Sequence, residues 1–197
     1  MSLTLVTAPS QQPITTAEAK AHLNISHSLD DALIAAYIAA ATEYAEAYLG
    51  RDLIQRTWDY SADAFPSGGN AFCLPKNPVQ SITSISYVDG NGDTQALATS
   101  VYSLDKGVAP AEVYLQYGQS WPSVRGQRNA VTVRFVSGYA PSGSPQDLAG
   151  NVPDSIKSAI KLIVGDLYLN RERKMDVQVY YNDTADLLLH PHRLYKV

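Results

Sequence analysis

The segment from Asp30 to Gly50 constrains the fold of this chain more than any other. Its sequence, DDALIAAYIAAATEYAEAYLG, predicts one long helix that an aspartate caps and Gly50 ends. After the first turn, Thr42, Glu43 and Glu46 are nearly its only polar residues. Two neighbouring apolar stripes follow helical spacing: Leu33, Tyr37, Ala40, Tyr44, Ala47 and Tyr48, and then Ile34, Ile38, Ala41, Ala45 and Leu49. Such a helix must be covered from several sides.

A second strongly apolar helix is predicted in VPDSIKSAIKLIVGDLYLNRER, residues 152–173. Pro153 suits its first position, and its main stripe runs from Ile156 to Tyr168 at helical spacing. The far side carries a second seam, which consists of Ser158, Leu162, Gly165 and Leu169. Glycine costs about 1 kcal/mol relative to alanine inside a helix, so we expect Gly165 to allow a close backbone approach.

The chain closes with further apolar residues in ADLLLHPHRLYKV, which contains Leu187, Leu188 and Leu189 in succession. One interpretation is that these leucines and those of the second seam are ordinary exposed residues, which are common on protein surfaces. Both helices and the tail carry more apolar residues than one core needs. This excess favours a homo-oligomer in which helices of neighbouring subunits pack together. If this packing is head-to-tail and not two-fold, its rotation closes a ring.

Between the helices, alternation with period two replaces the helical pattern. The stretches LIQRTWDYSA, VQSITSISYV, EVYLQY and VTVRFVSGY predict strands, with prolines and glycines in the connections. We therefore predict an α+β fold, an antiparallel helical bundle with an inserted small antiparallel β unit. Its parts are N-terminal bundle helices at 1–50, the β-rich insertion at 51–150, and the C-terminal helix and tail at 151–197.

The net charge of −4 lies in the first quarter of the chain. Residues 1–50 hold one basic residue, Lys20, against five acidic ones, and the remainder is nearly balanced. Such a surface does not attract phosphate backbones, so we expect no stable binding of duplex DNA. The start of the chain lacks the basic region of a signal peptide, and no apolar run approaches the roughly 20 residues that span a bilayer. These features predict a cytoplasmic protein without membrane contact.

Motifs that would indicate an active site or a metal site are weak. Asp89, Asn91 and Asp93 have the spacing of a calcium loop, but Thr94 and Ser100 stand where glycine and glutamate are required, which favours a hairpin turn. His190 and His192 lack a third ligand nearby in sequence and are interpreted as part of a surface tail.

The remaining candidates also favour structural roles. Cys73, the only cysteine, lies between Phe72 and Leu74, which predicts a buried, inert thiol and excludes a disulfide framework. The basic run after Asn170 is interpreted as compensation of the helix dipole, with phosphate contact as the alternative. No nucleotide-binding or hydrolase motif is present. The sequence thus predicts no catalytic residue, cofactor or metal.

The order of these segments resembles the head–tail connector (adaptor) proteins of long-tailed bacteriophages and gene transfer agents. The resemblance runs over nearly the whole chain. It is carried by PITTAEAKAHLNI, DDALIAAYIAAATEYAEAYLGRDLIQRTWDY, LPKNPVQSITSISYVDGNGD, the Trp-Pro pair at 121–122, VRFVSGYA, VPDSIKSAIKLIVGDLYLNRE and the final LLLHPHR.

This resemblance implies a structural protein of the virion that acts in assembly and not in catalysis. Its implied partners are other copies of itself in a ring, expected to be a dodecamer, the portal protein, and a stopper or tail-completion protein. DNA would pass through the lumen without specific binding, and the protein would occupy the host cytoplasm during assembly. The implied subunit or portal interface comprises the second seam together with Arg171, Glu172, Leu187, Leu188, Leu189, Arg193, Leu194 and Tyr195.

Two alternatives from other classes remain open. Thirteen tyrosines are present, and a carbohydrate-stacking platform on the β unit would use Tyr60, Tyr87, Tyr114, Tyr117 and Trp121. Tyrosine is equally common in the cores of small sheets, so the count alone does not decide. A hydrolase would need Ser, His and Asp to converge without any local motif.

Overall fold

The computed structural model describes residues 1–68, 71–144, 146–170 and 183–194, and divides the chain into two compact units. The sheet unit comprises Met1–Pro9 and Gln55–Ala140. The helical unit comprises Ser10–Ile54 and the described residues from Pro141 onwards. The fold is α+β, as the sequence predicts. The unit boundaries differ from the predicted ones, since the first nine residues join the sheet and residues 141–150 join the helices.

The sheet unit consists of two antiparallel sheets. A five-stranded sheet has the order β1-β2-β8-β4-β5, and a three-stranded sheet has the order β3-β7-β6. The strands are β1 Ser2–Thr7, β2 Arg56–Ala62, β3 Phe72–Cys73, β4 Val79–Val88, β5 Thr94–Ala96, β6 Tyr102–Asp105, β7 Glu112–Leu115 and β8 Val131–Ser137. The central strand β8 buries alternate residues, Val131, Val133 and Phe135, as its period-two pattern requires.

The turn between β4 and β5 is the predicted hairpin. One carboxylate oxygen of Asp89 accepts hydrogen bonds from the main-chain N–H groups of Asn91, Gly92 and Asp93. Its other oxygen accepts from the amide of Gln95 at 2.9 Å. These bonds, led by the one from Gln95, lower the pKa of Asp89. The aspartate therefore stabilises a turn, and this use of its oxygens explains the spacing that resembles a calcium loop.

The helical unit contains α1 Thr16–Leu23, α2 Asp31–Leu49, α3 Asp154–Leu169 and α4 Thr184–Leu189, followed by a 3-10 turn at His190–His192. Thr15 and Glu18 form a capping box at the start of α1. Gly50 ends α2 in the left-handed conformation, at a φ of 66°. No helix among the described residues is long and apolar enough to cross a membrane.

The first turn of α2 differs from the prediction that an aspartate caps it. Asp30 occupies the cap position without a side-chain capping bond. Its carboxylate accepts a hydrogen bond from Tyr168 at the end of α3, and Asp31 pairs with Lys20 of α1 at 2.7 Å. Both aspartates thus link α2 to neighbouring helices. The start of α2 lies against the end of α3, so these two helices run antiparallel.

Candidate subunit interface

One side of α2 has no cover within the chain's described residues. The second stripe predicted from the sequence, from Ile34 to Leu49, is buried against the rest of the helical unit. The opposite side exposes five alanines together with Glu43, all of which lie on one side of the helix. We call this surface the alanine face, and it consists of Ala32, Ala36, Ala39, Ala40 and Ala47. Small side chains would let a facing helix approach α2 closely.

The second seam of α3 is only partly outward, because α1 covers its middle. Gly165 is buried, and a Cβ atom placed on it would lie 3.8 Å from both His22 Nε2 and Leu23 Cδ2. Lys161, on the same helix, pairs with Glu18 of α1 at 3.8 Å. The close approach expected at Gly165 therefore occurs inside the chain. This corrects the expectation that Gly165 faces a neighbouring subunit.

The other seam residues retain different degrees of exposure. Leu162 is half-buried and Ser158 is exposed, whereas 77% of Leu169 is exposed. Leu169 follows Tyr168, whose hydroxyl bonds to Asp30, so it lies at the same end of the helical unit as Leu29. Leu29 is 88% exposed. Sequence reasoning missed Leu29 because it precedes the helix and belongs to no periodic pattern.

The C-terminal segment packs onto its own chain. The Tyr44 hydroxyl donates a hydrogen bond to Asp186 at 2.9 Å, and the main-chain N–H of Leu194 donates to the carbonyl of Leu49 at 2.9 Å. The guanidinium of Arg193 lies 5.0 Å from the centre of the Tyr48 ring, within the range of a cation–π contact.

The three successive leucines of α4 have three different environments. Leu189 is completely buried, Leu188 is half-buried, and 70% of Leu187 is exposed. Leu189 therefore belongs to the core of the helical unit, and the expectation that it contacts a neighbour or the portal is corrected. Arg171, Glu172 and Tyr195, three further predicted interface residues, lie outside the described residues.

The two C-terminal histidines show no metal-binding arrangement. His192 Nε2 lies 2.8 Å from Ser155 Oγ, and the carbonyl oxygen of His192 accepts a hydrogen bond from Arg51 Nε at 2.7 Å. The residue thus connects the end of α2 to the start of α3. Across the described ranges, no group of three or more His, Cys, Asp or Glu side chains is arranged to hold a metal ion.

Cys73 is exposed, which corrects the prediction of a buried thiol. The reason is its place in β3, where Phe72 and Leu74 point inward on either side of it. Its Sγ lies 3.8 Å from Glu112 Oε1. Partial desolvation, followed by the negative charge of Glu112, raises the pKa of the thiol. The group is therefore accessible but a poor nucleophile.

The five aromatic residues of the carbohydrate alternative do not share one surface. Tyr60 is buried, and Trp121 stacks on Phe65 with ring centres 4.8 Å apart. Tyr87 packs against the same core cluster. Of the five, Tyr114 and Tyr117 alone are exposed. The tyrosines of the β unit thus belong mostly to its core, and they do not build a stacking platform.

Comparison with known proteins agrees with the sequence resemblance. Residues 13–100 match the family model described as phage gp6-like head-tail connector protein. No curated protein matches the chain. Among solved structures, similar chains occur in the "Neck of empty GTA particle computed with C6 symmetry" (22% identity, TM-score 0.76) and in the "Virion of native gene transfer agent (GTA) particle" (23%, 0.77).

A third similar chain occurs in the "Neck of native GTA particle computed with C12 symmetry", with 24% identity and a TM-score of 0.74. Each of the three alignments covers 100% of this chain and 97% of the other. The fold, including both the helical unit and the sheet unit, is therefore that of chains found in these particles. The family match confirms the resemblance to head–tail connectors over residues 13–100.

Proposed function

We propose, from the match of residues 13–100 to the head-tail connector family, that this chain is a structural connector of a virion. The observation that carries the proposal is the full-length likeness to chains from gene transfer agent necks. Its place of action is the head–tail junction, which it would reach from the host cytoplasm during assembly. The role is architectural and not enzymatic.

In this role, copies of the chain form a closed ring, expected to be a dodecamer. The neck structures with C6 and C12 symmetry support a cyclic arrangement. Cyclic symmetry joins each copy to the next through two different surfaces, in a head-to-tail manner. This requires two surfaces that the described residues leave uncovered, and we assign both to the helical unit.

The first proposed surface is the alanine face of α2, and the second is the outward side of α3 and α4. Leu169 and Leu187 are the large apolar side chains that this second surface exposes. Burying an apolar side chain of this size stabilises an interface by about 1.5–3 kcal/mol. The predicted interface residues that remain available for ring or portal contact among the described residues are Ser158, Leu162, Leu169, Leu187, Leu188, Arg193 and Leu194.

The other partners are the portal protein on the head side and a stopper or tail-completion protein on the tail side. DNA passes through the lumen without specific binding. The acidic first quarter of the chain supports this, because residues 1–50 contain five acidic side chains and one basic one. A surface of that charge repels phosphate groups and does not hold DNA in place.

The proposal is tested by placing charge on the alanine face of the full chain in cells that produce the particle. Ala36→Glu combined with Ala40→Glu should leave the isolated subunit folded, because glutamate forms helices nearly as well as alanine. Particles made with this variant should lack the connector ring and carry no tails. The matched control is Ala17→Glu combined with Ala21→Glu, which introduces the same charge on exposed alanines of α1. Normal rings in the α2 variant would contradict the proposed interface, and tails attached without this chain would contradict the function.

A further inference from the structure

The first strand of the sheet unit has an open edge. Strand β1 is the outermost strand of the five-stranded sheet, and among the described strands it pairs with β2 alone. The pairing is regular from Ser2 to Leu5 and shifts register before Thr7. Leu5 and Val6 are 42% and 44% exposed. One side of β1 thus presents main-chain N–H and carbonyl groups to the surroundings.

This edge lacks most of the devices that protect the edges of sheets. Natural edge strands are commonly very short, or they carry lysine or proline. The sequence of β1, SLTLVT, has six residues without a charge or a proline, and five of them are β-branched or aliphatic. The other edge strands β3, β5 and β6 span only two, three and four residues. The open edge of β1 therefore fits an added strand better than any of these edges.

Among the described strands, none from a second copy fits this edge within a ring. When two copies pair through the same edge, a two-fold axis must relate them, whereas a cyclic ring joins its subunits head to tail. Within the part of the chain that the structure describes, pairing of β1 with a different edge of the next copy would use β3, β5 or β6, none of which matches its length. This step rests on the proposed ring.

We propose that β1 accepts an extended strand from a different polypeptide of the neck, which is added to the edge of the five-stranded sheet. Main-chain hydrogen bonds supply the affinity in this mode of recognition, and alternate side chains supply the specificity. The added segment has about six residues. It is uncharged and carries apolar side chains that cover Leu5 and Val6.

The direct test uses assembled particles that contain the full chain with a photo-crosslinking amino acid in place of Leu5. Mass spectrometry of the crosslinked peptides should identify a segment of a second polypeptide of the particle. A crosslink to another copy of this chain, or none while the connector ring is present, would overturn the inference. A missing ring would instead count against the proposed function, so the two failures are distinguishable.

A charge substitution provides an independent test of the same edge. Lysine on an edge strand blocks strand addition, so Leu5→Lys with Val6→Lys should lower the yield of tailed particles at least about tenfold while rings still form. The matched control, Thr94→Lys, places a lysine on exposed β5 at the opposite edge of the sheet and should retain tail attachment. Wild-type attachment in the β1 variant would overturn the inference. If that variant does not fold, the crosslinking result decides.

Discussion

The hydroxyl of Tyr168 donates a hydrogen bond of 2.5 Å to Asp30 Oδ2, and this bond ties the end of α3 to the start of α2. Because the acceptor is a carboxylate, its loss should cost about 1.5–3 kcal/mol of unfolding free energy. We therefore expect Tyr168→Phe to lower the urea midpoint. Tyr117→Phe, at a fully exposed tyrosine, is the control and should leave the midpoint unchanged. Equal midpoints for both variants would show that the bond does not stabilise the helix pair.

A substitution at Leu169 tests most directly whether the outward side of α3 is a subunit interface. We expect Leu169→Asp to change the unfolding free energy by no more than about 0.5 kcal/mol, because the side chain is largely exposed. The same variant should prevent the ring from forming in particles. Leu162→Asp places a charge at a half-buried site, and we expect it to destabilise the subunit itself. Urea denaturation together with electron microscopy of particles separates the two effects.

The different environments of Leu189 and Leu187 test whether α4 belongs to the folded subunit. Leu189→Ala should cost about 2–5 kcal/mol, since the side chain is completely buried. Leu187→Ala, two residues earlier, should cost no more than about 0.5 kcal/mol. Thermal unfolding of the two purified variants measures this difference. Similar small losses for both would mean that α4 does not pack on the helical unit in solution.

The capping box at α1 predicts a dependence of stability on pH. The hydrogen bond from the Thr15 main chain is the largest cause that lowers the pKa of Glu18 below its ordinary value of 4.5. A lowered pKa in the folded state contributes stability above the unfolded value, and that contribution is lost as the pH falls through the folded value. Glu18→Gln should therefore cost up to about 1 kcal/mol at neutral pH, because the site is largely exposed.

The cost of Glu18→Gln should shrink as the pH falls from 4.5 through the lowered pKa of the folded state, where the wild-type carboxylate becomes protonated. Urea titrations of both proteins at neutral and acidic pH provide the comparison. A cost that stays constant over this range would show that the carboxylate charge does not stabilise the start of α1.

Cys73 should react slowly with alkylating reagents even though it is exposed. Its raised pKa leaves little thiolate near neutral pH, and Glu112 contributes to that shift after desolvation. Glu112→Gln should increase the rate of modification by iodoacetamide several-fold and move its pH profile to lower values. An unchanged profile would assign the raised pKa to desolvation alone.

Sequence patterns predict the elements that have strong periodicity. The long helix α2, the helix α3 and the strands β2, β4, β7 and β8 all follow from their spacing. Strand β1 does not, because its partner β2 lies about fifty residues further along the chain and its own pattern does not alternate in exposure. Strand β3 has two residues, which is too short to show any period.

The candidate interface is predictable only in part. The apolar excess on α2 predicts that a second side of the helix is covered, but the predicted first stripe shares only Ala40 and Ala47 with the alanine face, which the burial of α2 defines. Spacing alone cannot tell which residues of the second seam of α3 are buried and which are exposed. The position of α1 decides that Gly165 is buried and that Leu169 is exposed. In the same way, Leu187 and Leu189 differ through their contacts and not through their residue type.

A reconstruction of the neck of particles that contain this chain tests the central claim most directly. We predict a closed ring of this chain in which the alanine face and Leu169 each lie within about 4.5 Å of an adjacent copy. A ring in which both surfaces face solvent, or a neck without this chain, would contradict the account.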